Sequence, residues 1–164
     1  PFLRLCLGLS ACLFLSLNAI QLFVFGSIFG DAASLDTRVA GYSVQDARDF
    51  LDVIGAEGRA AFFGYFRWVD TVFPPMLTLS LIALFRHFAG ADAARGTKFY
   101  ALLPFAYLAA DLTENSFLKQ LQFNNDFEQA VGYAASATIL KYIALALAVA
   151  VLVIFARRRR SKED

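Results

Sequence analysis

Asp111-Leu112-Thr113-Glu114-Asn115 sits inside an otherwise apolar run, Phe99–Leu121, that is long enough to cross a bilayer as a helix. Asp111, Glu114 and Asn115 are spaced i, i+3, i+4, so a helix puts all three on one face. A carboxylate among lipid chains costs at least a few kcal/mol, so such residues persist only against partners, a cavity or a protein interior. The stretch therefore predicts a polar site buried within a helical membrane protein.

The rest of the chain fits that expectation. Of 164 residues, 59% are hydrophobic and 18% charged, a balance foreign to a soluble domain of this size. Four apolar stretches approach or exceed the roughly twenty residues that a span needs: Leu5–Phe29, Phe62–Phe88, Phe99–Leu121 and Ala130–Ala156. Little remains for anything else. The predicted fold is all-α, a four-transmembrane-helix bundle forming one integral membrane domain over residues 1–164. The connection Asp31–Arg59 is acidic, whereas Arg86–Lys98 and the tail Arg157–Arg160 are basic. Basic flanks stay on the cytoplasmic or equivalent inner side, which predicts both termini there and the acidic connections outside.

Several chemistries are disfavoured. Cys6 and Cys12 lie six residues apart in one helix, about 9 Å between Cα atoms, too far for a disulfide. Leu9-Ser10-Ala11-Cys12 has the look of a lipoprotein cleavage box, but apolar sequence continues well past Cys12, which argues against lipidation there and against a cleaved signal peptide. His87 is the only histidine, so a multi-histidine metal or haem site is excluded. There is no Ser-His-Asp or Cys-His arrangement, phosphate loop or dinucleotide fingerprint, and no internal repeat. No cofactor and no nucleic-acid partner is expected.

Taken in order, span 1 is interrupted by Asn18 and Gln21, which either hydrogen-bond across a helix interface or belong to a ligand site. Ser43-Val44-Gln45-Asp46 has capping-box form, followed by Ala47, Leu51 and Ile54 at helical spacing and a stop at Gly55. This predicts a short amphipathic helix, about 43–55, in the first outer loop, serving as a packed cap or as a gating lid. In span 2, Arg67 and Asp70 form an i, i+3 pair. Trp68 and Tyr65 suit the outer interfacial belt. Pro74-Pro75 predicts a kink that frees two carbonyls beside Asp70. Lys119 ends span 3 within reach of the outer headgroups. Span 4 carries Lys141 with Thr138 on the same face, and a lysine there needs a carboxylate.

Depth brings these residues together. At about 1.5 Å per residue from the inner ends, Asn18 and Gln21, Arg67 and Asp70, the Asp111 face, and Lys141 all fall roughly 19–29 Å up. Two cations then face three carboxylates in one outer layer, leaving about one negative charge. That surplus requires either a protonated carboxyl or a bound cationic or donor-rich ligand. The cations compete with any metal for the acids, so no metal site is assigned.

The pattern G-Y-S-x-x-x-A-R-x-F-L at Gly41–Leu51, Gly58-Arg59, D-x-x-x-P at Asp70–Pro74, D-x-x-E-N at Asp111–Asn115 and T-x-L-K at Thr138–Lys141 resembles a group of uncharacterised bacterial four-helix membrane proteins. That resemblance covers most of residues 41–142 and implies no particular activity. More loosely, the chain is similar to the sterol isomerase and sigma-2 receptor superfamily, whose members bind sterol-like amines or shift double bonds through a carbocation held by carboxylates. This similarity would cast Asp70, Asp111 or Glu114 as acid and cation stabiliser, with Trp68 shortly before the first. The isomerase's catalytic histidine has no counterpart in the spans.

The functional expectation is a charged pocket in the outer leaflet, formed by Asn18, Gln21, Arg67, Asp70, Asp111, Glu114, Asn115, Thr138 and Lys141. It would bind a membrane lipid or other amphipathic molecule and, if chemistry occurs, transfer a proton through Asp111, Glu114 or Asp70. The rival expectation is a small accessory or assembly subunit of a larger respiratory or photosynthetic membrane complex, its ionic layer purely structural.

Overall fold

The computed structural model describes residues 2–20, 22, 34–89, 100–123 and 126–163. In chain order these form α1 (Phe2–Ile20), a 3-10 turn (Leu35–Thr37), α2 (Val44–Ala61), a π-helical segment (Phe62–Phe66), α3 (Arg67–Ala89), α4 (Leu102–Gln120) and α5 (Phe127–Glu163). No strand occurs among the described residues. Three helical runs are long and apolar enough to cross a membrane: Phe2–Ile20, Val44–Ala89 and Phe127–Arg159. α4 is as long as α1 but carries Asp111, Glu114 and Lys119.

The long helices alternate in direction. Ser10 and Phe14 of α1 meet Ser80 and Phe73 of α3, Asn115 of α4 meets Arg67 of α3, and Phe117 of α4 meets Tyr133 of α5. Each pairing is antiparallel. α4 packs most extensively on α5, whereas α1 rests chiefly on α3. Only Cys6, Ser10 and Leu17 of α1 are buried, so this helix is held along a narrow stripe.

α2 begins where the capping box places it. The Ser43 side chain accepts from the Asp46 N–H at 3.1 Å, and the Ser43 N–H donates to Asp46 Oδ2 at 2.8 Å. Those bonds hold the Asp46 carboxyl below the usual carboxylate range. Ala47, Phe50, Leu51 and Ile54 form its buried face. Gly55, at φ 59° and ψ −166°, sits in a region essentially reserved for glycine and turns the chain before the helix resumes. A second interruption, which the sequence did not suggest, falls further along. The helix runs on through Pro74 and Pro75, and the non-helical residue is Gly64, inside the π-helical segment. A helix of π type absorbs one extra residue per turn, which re-aims the face carrying Arg67.

Two apolar clusters result. One gathers Leu17, Leu35, Phe50, Ile54, Phe62, Phe66, Leu118 and Val131 at the α2 end. The other gathers Leu81, Phe85 and Ala148 with Tyr100 and Phe155 at the opposite end. Between them lies a layer that is not apolar.

Candidate functional site

That layer is built from α3, α4, α5 and the turn before α2. On α5, Lys141 is buried and points at α4: its Nζ is 3.2 Å from Asp111 Oδ1 and contacts Glu114 Oε2. Thr138, one turn earlier, donates to Glu114 Oε1. Glu114 is 0% exposed, sealed by these two α5 side chains. On α3, Arg67 is 1% exposed. Its Nη1 donates to Asp70 Oδ2 at 2.9 Å and to Asn115 Oδ1 at 2.6 Å. The Asn115 amide then donates to Asp111 Oδ2 at 3.2 Å, joining the arginine half to the lysine half. The guanidinium stacks over the Phe62 ring at 4.5 Å, and its Nε and Nη2 have no hydrogen-bond acceptor among the described residues.

Arg67, Asp70, Asp111, Glu114, Asn115, Thr138 and Lys141 are thus one contiguous network. Asn18 is not part of it. It is exposed, and its amide donates to the Phe14 carbonyl of its own helix at 2.7 Å. An amide four residues from a carbonyl finds a partner without crossing to another helix. Gln21 lies outside the described residues.

A member that sequence reasoning missed is Asp36. It is 5% exposed, with Oδ2 3.6 Å from Arg67 Nη1. The turn is pinned by Leu35, which is fully buried, and by Tyr142 Oη donating to the Asp36 carbonyl at 3.2 Å. Gly41, at φ 81°, lets the chain close on α5, where an added Cβ would lie 3.0 Å from Ile139 Cδ1. Tyr42 follows, its phenol pushed upward by burial and by the negative charges of Glu114 and Asp36. The charge balance expected from sequence therefore changes. Among the described residues, four carboxyl groups, Asp36, Asp70, Asp111 and Glu114, share the layer with two cations, Arg67 and Lys141, so the formal surplus with every group ionised would be two negative charges.

Beside the network runs a cavity of about 550 Å³, within the size range of small-molecule sites. Asp36, Asp70, Asp111, Lys141, Tyr107 and Tyr142 line one end. Leu7, Ala11, Phe14, Leu77, Leu81, Leu145 and Val149 line most of the remainder, with Ser10 the polar exception, and α1 forms one wall and α5 another. Val149 is eight residues beyond Lys141 and Leu81 eleven beyond Asp70, so the apolar trunk extends about 12–16 Å from the charged end. Asn18 also borders this space, whereas Glu114 and Arg67 do not. Among the described residues no group of three or more His, Cys, Asp or Glu side chains is arranged to hold a metal ion.

Comparison of the chain with protein-family models, curated proteins and solved structures returns no match.

Proposed function

We propose that the chain is a multi-pass membrane protein whose four long helices each span the bilayer, with both ends on the inner side, and that it binds an amphipathic, lipid-like molecule in the cavity between α1 and α5. The observation that carries this reading is the shape of the cavity's polarity. Charged and phenolic groups gather at one end, and the trunk of about 12–16 Å is lined by aliphatic and phenyl side chains apart from Ser10. That is the polarity of a lipid in the outer leaflet, head toward the outer surface and body toward the midplane. The orientation rests on the basic residues Arg86 and Arg157–Arg160 at the far end of α3 and α5.

Within this reading the network has two roles. Glu114, Thr138 and Lys141 lock α4 to α5 and hold the charged end in place. Asp70 and Asp111 face the bound molecule, so any proton transferred to or from it would pass through them rather than through Glu114.

The test is native mass spectrometry of the full chain purified alone in mild detergent. A retained amphiphile is expected, and it should be lost when the trunk is filled by Ala11→Phe or, from the opposite wall, Val149→Trp. Co-purification at fixed stoichiometry with larger membrane subunits, with no small molecule retained, would instead support the accessory-subunit reading.

A further inference from the structure

The two ends of the bundle treat arginine differently. At the α2 end each arginine outside the buried layer has a carboxylate beside it. Arg38 lies 3.5 Å from Asp46, Arg48 3.3 Å from Glu128 and Arg59 3.0 Å from Asp52. At the opposite end Arg4, Arg86, Arg157, Arg158 and Arg159 are all exposed, and none of the first four has a carboxylate partner among the described residues. No Asp or Glu stands on α1, on α3 beyond Asp70, on α4 before Asp111, or on α5 between Glu128 and Glu163. The chain therefore offers these arginines no acid of its own along those helices.

They also share one level. Ser10 of α1 bonds Ser80 of α3 at 2.8 Å. Arg4 stands six residues before that serine and Arg86 six beyond the other, so in this antiparallel pair both lie about 9 Å past the bond. α5 joins through Arg159, whose Nη1 donates to the His87 carbonyl at 2.8 Å. Next to this level lies an aromatic layer, in which the Phe155 ring is 4.6 Å from Tyr100 and 6.3 Å from Phe85. Phe85 immediately precedes Arg86, and Phe155 stands two residues before Arg157. Apolar surface thus gives way to positive charge within about one helical turn. α5 stays helical past this point, and three consecutive side chains, Arg157 to Arg159, fan around more than half of it.

A level where hydrocarbon meets cations is where a phospholipid carries its phosphate. Phosphatidylcholine brings its own cation to that phosphate, whereas an anionic phospholipid brings none. A guanidinium fork fits the paired oxygens of a phosphate. Resting on the membrane reading above, though not on the cavity, we propose that this end of the bundle is a binding collar for anionic phospholipids of the inner leaflet. Their phosphates lie among Arg4, Arg86, Arg157 and Arg158, and their chains run along the exposed apolar flanks at Leu5 and Ile154.

The experiment places the full chain in nanodiscs that mix phosphatidylcholine with phosphatidylglycerol. Native mass spectrometry then counts the lipids that stay with the protein. Phosphatidylglycerol should be enriched over its share of the disc by at least about fivefold, the worth of one arginine near an anionic surface. Arg86→Gln should lower the enrichment, and Arg157→Gln with Arg158→Gln should lower it further. Arg48→Gln, at the paired end, should leave it unchanged. Added salt should weaken the enrichment, because the arginines are exposed. Equal retention of the two lipids by the wild type overturns the proposal without any variant. A loss in Arg48→Gln as large as in Arg86→Gln overturns it too, since the preference would then follow net charge rather than this collar. Inorganic phosphate that displaces the lipid would show a soluble anion to be what is recognised, and would also overturn it. Ala11→Phe separates this inference from the cavity reading. Enrichment that survives while the cavity amphiphile is lost supports both; enrichment lost in Ala11→Phe puts the lipid in the cavity and overturns the collar alone.

Discussion

Replacing Lys141 by Met removes the only cation among the described residues that contacts both Asp111 and Glu114, while keeping a flexible side chain of similar length. In the native protein Lys141 Nζ sits 3.2 Å from Asp111 Oδ1 and touches Glu114 Oε2, and Glu114 is 0% exposed. Taking one partner from a buried ion pair costs about 3–5 kcal/mol, because the other charge stays behind without compensation. That corresponds to roughly two to four powers of ten in the unfolding equilibrium. The loss is electrostatic rather than steric, so neutralising the stranded acids should recover most of it. Lys141→Met combined with Asp111→Asn and Glu114→Gln is expected within about 1–2 kcal/mol of wild type, since neutral replacements of buried ion networks are often tolerated. The assay is reversible unfolding in mixed micelles, titrated with a denaturing detergent and followed by far-UV circular dichroism. A single substitution costing under about 0.5 kcal/mol would show that the α4–α5 ion pairs carry little of the stability. A triple variant no better than the single would refute its electrostatic cause.

Four other outcomes follow from the same structure. Phe50→Ala empties a site that is 2% exposed under α2 and should cost about 3–5 kcal/mol, with protease cleavage appearing near Gly55 before global unfolding. Ser43→Ala removes one half of the capping box and should cost about 1 kcal/mol, read as faster amide exchange in the first turn of α2. Because the Asp46 pKa is depressed in the folded state, its half of the box is fully present above the ordinary carboxylate range and is lost as pH falls through the lowered value. Exchange at the Ser43 amide should therefore be protected at neutral pH and lose protection only below the ordinary carboxylate range, beyond the intrinsic pH effect. Trp68 is the only tryptophan, is 75% exposed and follows Arg67 directly, so it reports the depth of the charged layer. Brominated lipids should quench it most strongly with bromine near the head group; strongest quenching at the chain end would place the layer at the midplane instead.

What could be read from the sequence was whatever helical periodicity determines. Asp111, Glu114 and Asn115 share a face at any helix packing, and Lys141 had to find a carboxylate, so their meeting followed from spacing and cost. Asp36 did not follow, because it lies on a turn. Its position depends on Leu35 being buried, on Tyr142 reaching its carbonyl and on Gly41 closing against Ile139, all contacts more than ninety residues apart or set by the core. Asn18 was expected either to hydrogen-bond across a helix interface or to join a ligand site; its amide bonds within its own helix, while the residue borders the cavity. The prolines at 74 and 75 sit inside a continuous α3, and the non-helical residue at Gly64 had no signal in the sequence. The cavity had no sequence signature at all. It exists because α1 packs on α3 along a narrow stripe and leaves space toward α5, and that is a property of packing rather than of any motif.

The most direct measurement is a density map of the full chain in native lipid at side-chain resolution. An elongated feature is expected between α1 and α5, its polar end beside Asp70 and Asp111 and its body running down to Leu81 and Val149. Side chains of α1 closed against Leu145 and Val149, with no space between them, would contradict it.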